Sequence, residues 1–451
     1  MKHILSLLLL LALASGCRTT PATPPPSSAP GGATEGKPAP AGSLDDAAAL
    51  ITAKDLSAHL AVLASDDYEG RNSGYPGNDK TAEYIAAHFK KIGLLPAGEK
   101  DPSGAATWFQ EFKVGGRATR NVLGRVEGSD PELKSEFVVI GAHHDHVGKR
   151  GQSNMGQMKS KRADPDDVIW NGADDNGSGT VTVLEIARAF MEGKLRTKRS
   201  IVFMTFSGEE WGLVGSKFFV DNPLVPLEKF AAMINLDMVG RNGSKPMDVG
   251  GVSTAAEWTD LCAESAKGTE LAYKTSPGVM AGSDHYQFAR KRIPAVHFFT
   301  GFHEDYHCQT DHADKIDYDR MVKIGKFGLR LLALTADRIP RMAYTGSSGV
   351  RTLGVQTEDL DEEGAAELAL PADQGGVRVT KVSEESAAER AGVKEGDVLV
   401  EFNGKTLSLD MPLSTLRKEL KAVKDGVDVP LVVLRDGKRV ELTATWGKKK
   451  P

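Results

Sequence analysis

Cysteine is scarce, with three residues in 451, so a dense disulfide framework is excluded. An excess of charge of one sign is missing too: 56 Lys and Arg stand against 61 Asp and Glu, a formal net charge of −5. Such a balance leaves no electrostatic footprint for nucleic acid. Long apolar runs are confined to residues 4–13, too short for a membrane-spanning helix, which needs ~20 residues. No period of a repeat array is present. What remains is the composition of an ordinary globular chain, 40% hydrophobic and 26% charged, long enough for two or three domains of roughly 150 residues each.

The apolar run at residues 4–13, after Met1-Lys2-His3, has the form of a signal-peptide core. It ends at Ala14-Ser15-Gly16-Cys17, which resembles a bacterial lipoprotein processing site. That resemblance implies cleavage before Cys17, lipid on Cys17 and membrane attachment in the cell envelope, with the outer membrane as the expected position. The alternative is an ordinary signal peptide with an incidental cysteine. Residues 18–43 are Pro, Ala, Gly and Ser-rich without large apolar side chains, the composition of a disordered spacer. Cys262 and Cys308 remain; one bond between them is open to an exported chain, and spacing does not decide it.

From residue 44 onward, strand-length apolar runs at 137–142, 201–206, 231–236 and 293–299 alternate with helical patterns at 80–92, 178–190 and 319–335. The expected fold class is α/β, a mostly parallel mixed sheet with helices on both faces, over residues 44–340. A small β-rich unit is expected at 345–447, with strands at 376–382, 397–402, 429–434 and 439–445 and a helix at 413–423. Arg435-Asp436-Gly437-Lys438 between its last strands is a hairpin signal.

Acidic residues and histidines fall where the strands end. The first run leads into His143-His144-Asp145-His146, the second into Ser207-Gly208-Glu209-Glu210, the third into Asp237, and the fourth, after a short loop, to His307. Asp175 lies in a glycine-rich loop, 171–179, just before a helix. Ligands of open α/β sheets bind beyond the carboxyl ends of the strands, so these side chains converge on one edge. Two histidines and three carboxylates, with no cysteine placed to join them, form a donor set suited to zinc. Five ligands exceed what one tetrahedral zinc needs and fit two if one carboxylate bridges. Glu209, left over from that count, is free to act as general base. Taken singly, an isolated Glu-Glu pair is usually a solvated helix start and an isolated Asp-Asp pair a turn.

These residues resemble the bacterial di-zinc aminopeptidases, kin of glutamate carboxypeptidases and glutaminyl cyclases. The stretches that carry the resemblance are AHHDHVG (142–148), NGADDNGSG (171–179), SGEEWGLVGS (207–216), NLDMVGR (235–241), GSDHYQF (282–288) and EDYHCQTDHADKID (304–317). LASDDYEGRNSGYPGNDKTAEYIAAHF (63–89) is similar to the opening segment of that family. The resemblance implies that His143 and Asp237 bind one zinc, Glu210 and His307 the other, and that Asp175 bridges. It also implies that Asp145 accepts the second ring N–H of His143 and that Glu209 handles the proton of the attacking water. Neighbouring His144, His146, His285, His303 and His312 are expected to pack or hydrogen-bond rather than ligate. Ser283-Asp284 is expected either to cap a helix or to wall the site.

The C-terminal unit resembles a PDZ domain of periplasmic proteases, through RTLGV (351–355), residues 377–407 and residues 428–446. That resemblance implies peptide addition to a sheet edge, with the terminal carboxylate held by the backbone of Leu353, Gly354 and Val355. Leu413, Leu416 and Leu420 either line the side-chain pocket or belong to the core. The expected partners are therefore peptide or protein substrates, an envelope protein at the C-terminal unit, and a membrane through Cys17. The expected activity is removal of N-terminal residues from peptides. Rival readings are a carboxypeptidase of the same chemistry and a non-catalytic peptide-binding scaffold of the envelope.

Overall fold

The computed structural model describes residues 42–152, 156–158, 160, 163–345, 353–360, 362–371, 373–383, 386–409, 412–423 and 426–446. The expected signal peptide, Cys17 and all but the last two residues of the spacer lie outside them.

The larger unit is built on a nine-stranded sheet. Its strands are β1 (Leu95–Pro96), β2 (Phe109–Val114), β3 (Arg117–Val126), β4 (Phe137–His143), β5 (Ser200–Phe206), β6 (Phe230–Leu236), β7 (Met247–Gly250), β8 (Tyr273–Ser276) and β9 (Ala295–Phe299). The path runs β1-β3-β5-β4-β6-β9-β7-β8, with β2 paired to β3. β5, β4, β6 and β9 are parallel neighbours, so their carboxyl ends share one edge. The antiparallel partners β3 and β7 flank this central group. From β4 the chain places β5 on one side and β6 on the other, which makes the end of β4 a topological switch point where a crevice opens.

Among the described residues, eight α-helices accompany the sheet: α1 (Leu44–Ala49), α2 (Ala53–Leu63), α3 (Pro76–Lys91), α4 (Gly179–Glu192), α5 (Val214–Asp221), α6 (Trp258–Ala266), α7 (His285–Arg290) and α8 (Tyr318–Asp337). Alternation along the strands divides them between the two faces. Val138, Ile140, Ile201, Phe203, Ile234 and Phe298 share a buried cluster with Leu60, Phe89, Ile186, Trp258 and Leu331, from α2, α3, α4, α6 and α8. Val139, Val202, Met204, Phe206 and Met233 point the other way, onto Phe219 of α5 and Phe288 of α7. Residues buried on both sides explain why these strands read as continuous apolar runs. Cys262 and Cys308 are both buried and free, so no bond joins them.

The C-terminal unit contains β10 (Val355–Asp359), α9 (Glu362–Glu367), β11 (Val377–Val382), α10 (Ala387–Ala391), β12 (Val398–Phe402), β13 (Lys405–Thr406), α11 (Pro412–Ala422), β14 (Asp428–Arg435) and β15 (Lys438–Thr445). Its sheet runs β10-β11-β12-β14-β15, with β13 on β12, so β10 is an edge strand. Asp436 (φ 50°) and Gly437 (φ 73°) make the tight left-handed turn between β14 and β15, as the Asp-Gly pair requires. Leu416 and Leu420 are buried with Leu353, Val379, Phe402 and Val433, so the open choice for these leucines resolves toward core. Leu413 packs against that cluster from its margin. Among the described residues, no helix is long and apolar enough to cross a membrane.

Candidate metal centre

The centre assembles at the carboxyl edge of the four parallel strands. His143 is the last residue of β4, Asp237 follows β6, and Glu209 and Glu210 follow β5. Asp175 sits in the turn Ala173–Ser178 that leads into α4. That turn is anchored from several directions. Asp311 accepts the backbone N–H groups of Asp174 (2.9 Å) and Asp175 (3.1 Å) on one carboxylate oxygen. Asp174 in turn accepts the Gly240 N–H at 2.7 Å. Arg71, 1% exposed, donates to the carbonyls of Leu63 (2.8 Å), His144 (3.0 Å), Asn171 (2.5 Å) and Gly172 (2.7 Å). Burial pushes this guanidinium down to about 10, although four acidic neighbours oppose the shift. Gly172 is required at its place: φ is 57°, and a Cβ would collide with the His146 ring.

Asp175 lies between two groups of ligand-type side chains. Its Oδ1 is 3.4 Å from His143 Nε2, which is itself 3.4 Å from Asp237 Oδ1. Its Oδ2 is 3.0 Å from His307 Nε2, which is 3.0 Å from Glu210 Oε2. Each histidine presents Nε2 inward and uses Nδ1 elsewhere, His143 on the Asp145 carbonyl (3.1 Å) and His307 on the Gly156 carbonyl (2.9 Å). Backbone carbonyls that take the Nδ1 proton fix the tautomer and leave Nε2 for a metal. His307 stands at φ 55°, a left-handed conformation uncommon outside glycine and one found at functional sites.

Electrostatics make the same point. Burial opposes charge on His143 and His307, yet the surrounding carboxylates hold His143 well above its usual range and raise His307 to about 11. Burial raises the Glu209 carboxyl well above the glutamate range, with Glu210 and Asp237 adding to it. Asp175 is held well below its usual value against the effect of burial, through His143 and His307. Acidic groups in such number inside a protein need positive charge. Asp237 Oδ1 and His307 Nε2 are buried without a hydrogen-bond partner. The donor set, nitrogen and carboxylate oxygen at these separations, fits zinc.

Asp145 does more here than the expected pairing with His143. Its carboxylate is 3.7 Å from His143 Nδ1, farther than its own carbonyl. It accepts the N–H groups of Glu209 (3.2 Å) and Glu210 (3.4 Å) and the Ser73 hydroxyl (2.9 Å). A buried carboxylate thus holds the backbone of the Glu-Glu pair in place. Glu209 Oε2 reaches to 4.0 Å from His143 Nε2, and its side chain lines a cleft with Gly212, Leu213, Ala281 and Gly282.

His146 hydrogen-bonds, one of the two roles expected of it, and does so at the centre itself. It belongs to a four-residue group with Asp175, Glu210 and His307 whose ligand atoms lie within 4.8 Å of one another. His146 Nδ1 is 2.9 Å from Glu210 Oε1, so it holds the oxygen that faces away from His307. We expect His146→Phe to weaken zinc affinity about 10–100-fold, as loss of a ligand-orienting partner does. Calorimetric titration of metal-stripped protein reads this directly, and an unchanged affinity would remove the role. The expected alternatives at Ser283-Asp284 resolve otherwise than a side-chain cap: Asp284 precedes α7, and its carboxylate accepts no N–H from that helix. It is buried, and burial raises its carboxyl to about 7. Asp311 and Arg71 have no role assigned from sequence, since only their partners in space give them one.

Residues 121–332 match the family described as Peptidase family M28, and residues 352–445 match a PDZ domain. Leupeptin-inactivating enzyme 1 of Streptomyces exfoliatus is 27% identical over 192 residues, covering 42% of this chain and 36% of that protein. Leucine aminopeptidase 1 of Arthroderma otae is 37% identical over 114 residues, 24% of this chain and 27% of its own length. The chain thus spans well under two thirds of these relatives. Among solved structures, the Legionella pneumophila LapA aminopeptidase aligns with a TM-score of 0.50 at 21% identity, over 65% of this chain and 75% of that one. Porphyromonas gingivalis glutaminyl cyclase aligns with a TM-score of 0.50 at 21% identity, over 63% and 98%. At such identities these likenesses speak for the fold. With the α/β sheet, the acidic edge and the β-rich unit all in place, residues 121–332 of this chain are similar to peptidase family M28 and residues 352–445 to a PDZ domain.

Proposed function

We propose that this chain is a two-zinc aminopeptidase that removes N-terminal residues from peptides. The observation that supports it most is the placement of Asp175, with one oxygen toward His143 and Asp237 and the other toward His307 and Glu210. Two three-residue sets sharing one carboxylate are what a pair of metals needs. Bound zinc supplies Lewis acidity toward a water and toward the scissile carbonyl. Glu209, half-buried beside the centre and not needed as a ligand, accepts the water's proton and returns it to the departing amine. Asp145 keeps Glu209 at its distance by gripping the backbone.

The experiment is a panel of aminoacyl and N-blocked substrates, assayed with and without a chelator. Hydrolysis of free-amine substrates, lost with chelator and restored by zinc, is the expected result. Activity on blocked substrates alone would reverse the reading toward a carboxypeptidase.

The PDZ domain, in this reading, binds peptide C-termini by strand addition on β10, whose outer edge is unpaired within the sheet. Leu353, Gly354 and Val355 precede and open that strand, and Gly354 stands at φ 85°, a backbone form suited to an anion-holding nest. A labelled peptide with a free C-terminus is expected to bind the full chain about 10–100-fold more tightly than its C-terminal amide, the worth of charged hydrogen bonds. Equal affinities would argue against carboxylate capture. The same proposal places the chain in the cell envelope, anchored by lipid on Cys17, and loss of labelled fatty acid in Cys17→Ser is its check.

A further inference from the structure

A second group of metal-competent side chains lies apart from the candidate centre, between helices on one face of the sheet. His59 comes from α2, His88 from α3 and Glu185 from α4. Their ligand atoms lie within 4.8 Å of one another. Glu185 has no solvent exposure and His88 only 9%. His59 Nε2 is 3.4 Å from Glu185 Oε1, and the His59 and His88 rings meet edge to face with centroids 4.7 Å apart.

An ion pair between His59 and Glu185 accounts for only part of this arrangement. His88 Nε2 is buried among these groups without a hydrogen-bond partner. The Leu184 backbone favours a proton on the ring, and Nε2, the nitrogen without a partner, is the one free to ligate. Burial, with His59 adding to it, lowers the His88 imidazole to about 4, so the ring is neutral near pH 7. His59 Nδ1 is 2.7 Å from the Tyr84 hydroxyl; donation to that oxygen leaves Nε2 for a cation. These are the outer contacts that orient metal-binding histidines.

The surrounding charge is suitable as well. Arg188 bonds to Glu185 at 3.0 and 3.1 Å through Nε, to Asp55 at 3.2 Å and to Glu192 at 2.9 Å. His59 and Arg188 hold the Glu185 carboxyl below the usual glutamate range against the effect of burial, so the cluster contains an ionised carboxylate. His59 is 15% exposed at its side chain, so the open coordination position can reach water.

We propose that His59, His88 and Glu185 form a third, structural zinc site that clasps α2, α3 and α4 together. Two imidazoles and a carboxylate are a zinc-type set, with water as fourth ligand. Because α4 leads out of the Asp175 turn, the clasp steadies the helix behind the candidate centre without contributing to its chemistry.

The test compares the full-length chain with His88→Gln after metal stripping, equilibration with zinc and gel filtration. Elemental analysis is expected to find about one more zinc per chain in the unaltered protein. Zinc is also expected to raise Tm more in that protein than in His88→Gln, while turnover of a free-amine substrate stays within about twofold. Should His88→Gln fail to fold, Asp175→Ala loaded with cobalt provides the second arm. That variant is expected to retain about one cobalt per chain with the visible absorption of a four-coordinate nitrogen and oxygen site. Equal zinc contents in two folded proteins, or no cobalt retained by Asp175→Ala, would overturn the proposal.

Discussion

Replacing Glu209 with glutamine is expected to lower kcat by about 10²–10⁴-fold, the usual worth of a positioned general base, with zinc content and KM little changed. Glutamine keeps the size and the hydrogen-bonding capacity of the side chain and removes only its ability to take a proton. Glu209 is not needed by either three-residue set around Asp175, and its N–H is held by Asp145 in either form. Loss of zinc in Glu209→Gln would make this residue a ligand instead. Retained turnover would assign the proton to another group, with Asp284 as the nearby buried carboxyl already raised to about 7.

Asp175→Ala is expected to have the larger structural consequence, releasing both of the proposed metals and abolishing measurable hydrolysis. One carboxylate faces both histidines, at 3.4 Å and 3.0 Å, so its removal takes a donor from both groups. Elemental analysis should show the loss of two zinc ions relative to the unaltered protein, against one for a change confined to Asp237 or His307. The stability effect has a definite sign. Stripping zinc from the unaltered protein removes a ligand of the folded state, and at a zinc concentration 100 times Kd that costs about 2.7 kcal/mol. A lowering of Tm by several degrees, about 2–4 °C per kcal/mol for a domain of this size, is therefore expected on chelation. It should be smaller in Asp175→Ala, which has less metal to lose. Equal metal content in Asp175→Ala and the unaltered chain would show that the two sets do not share this carboxylate.

Several parts of this molecule were readable before any coordinates. The four central strands announce themselves as apolar runs because both faces are covered, and each ends in the acidic or imidazole side chain that the edge needs. The hairpin at Asp436-Gly437 is equally plain, since a left-handed turn leaves few residue choices. The flanking strands were harder: β7 and β8 are four residues each, too short for a period to register. Strands β2 and β3 join through Gly115 and Gly116, both at positive φ, and their burial alternates only in part.

Local chemistry along the chain, then, determined which residue types stand at the strand ends, the α/β class and the separate β-rich unit. Three-dimensional packing alone decided the rest. Asp145 turned out to hold the Glu209-Glu210 backbone more closely than the His143 ring, because β4 and β5 run side by side and bring residues 64 positions apart into hydrogen-bond reach. His146 reached Glu210 by the same adjacency. Arg71 and Asp311 acquired meaning only when the chain folded back over the Asp175 turn, and His59, His88 and Glu185 only when three helices converged on one sheet face. A sequence records which groups can donate or accept; distances of 3 to 4 Å between distant segments arise from packing, on which hydrogen bonding and charge pairing depend steeply.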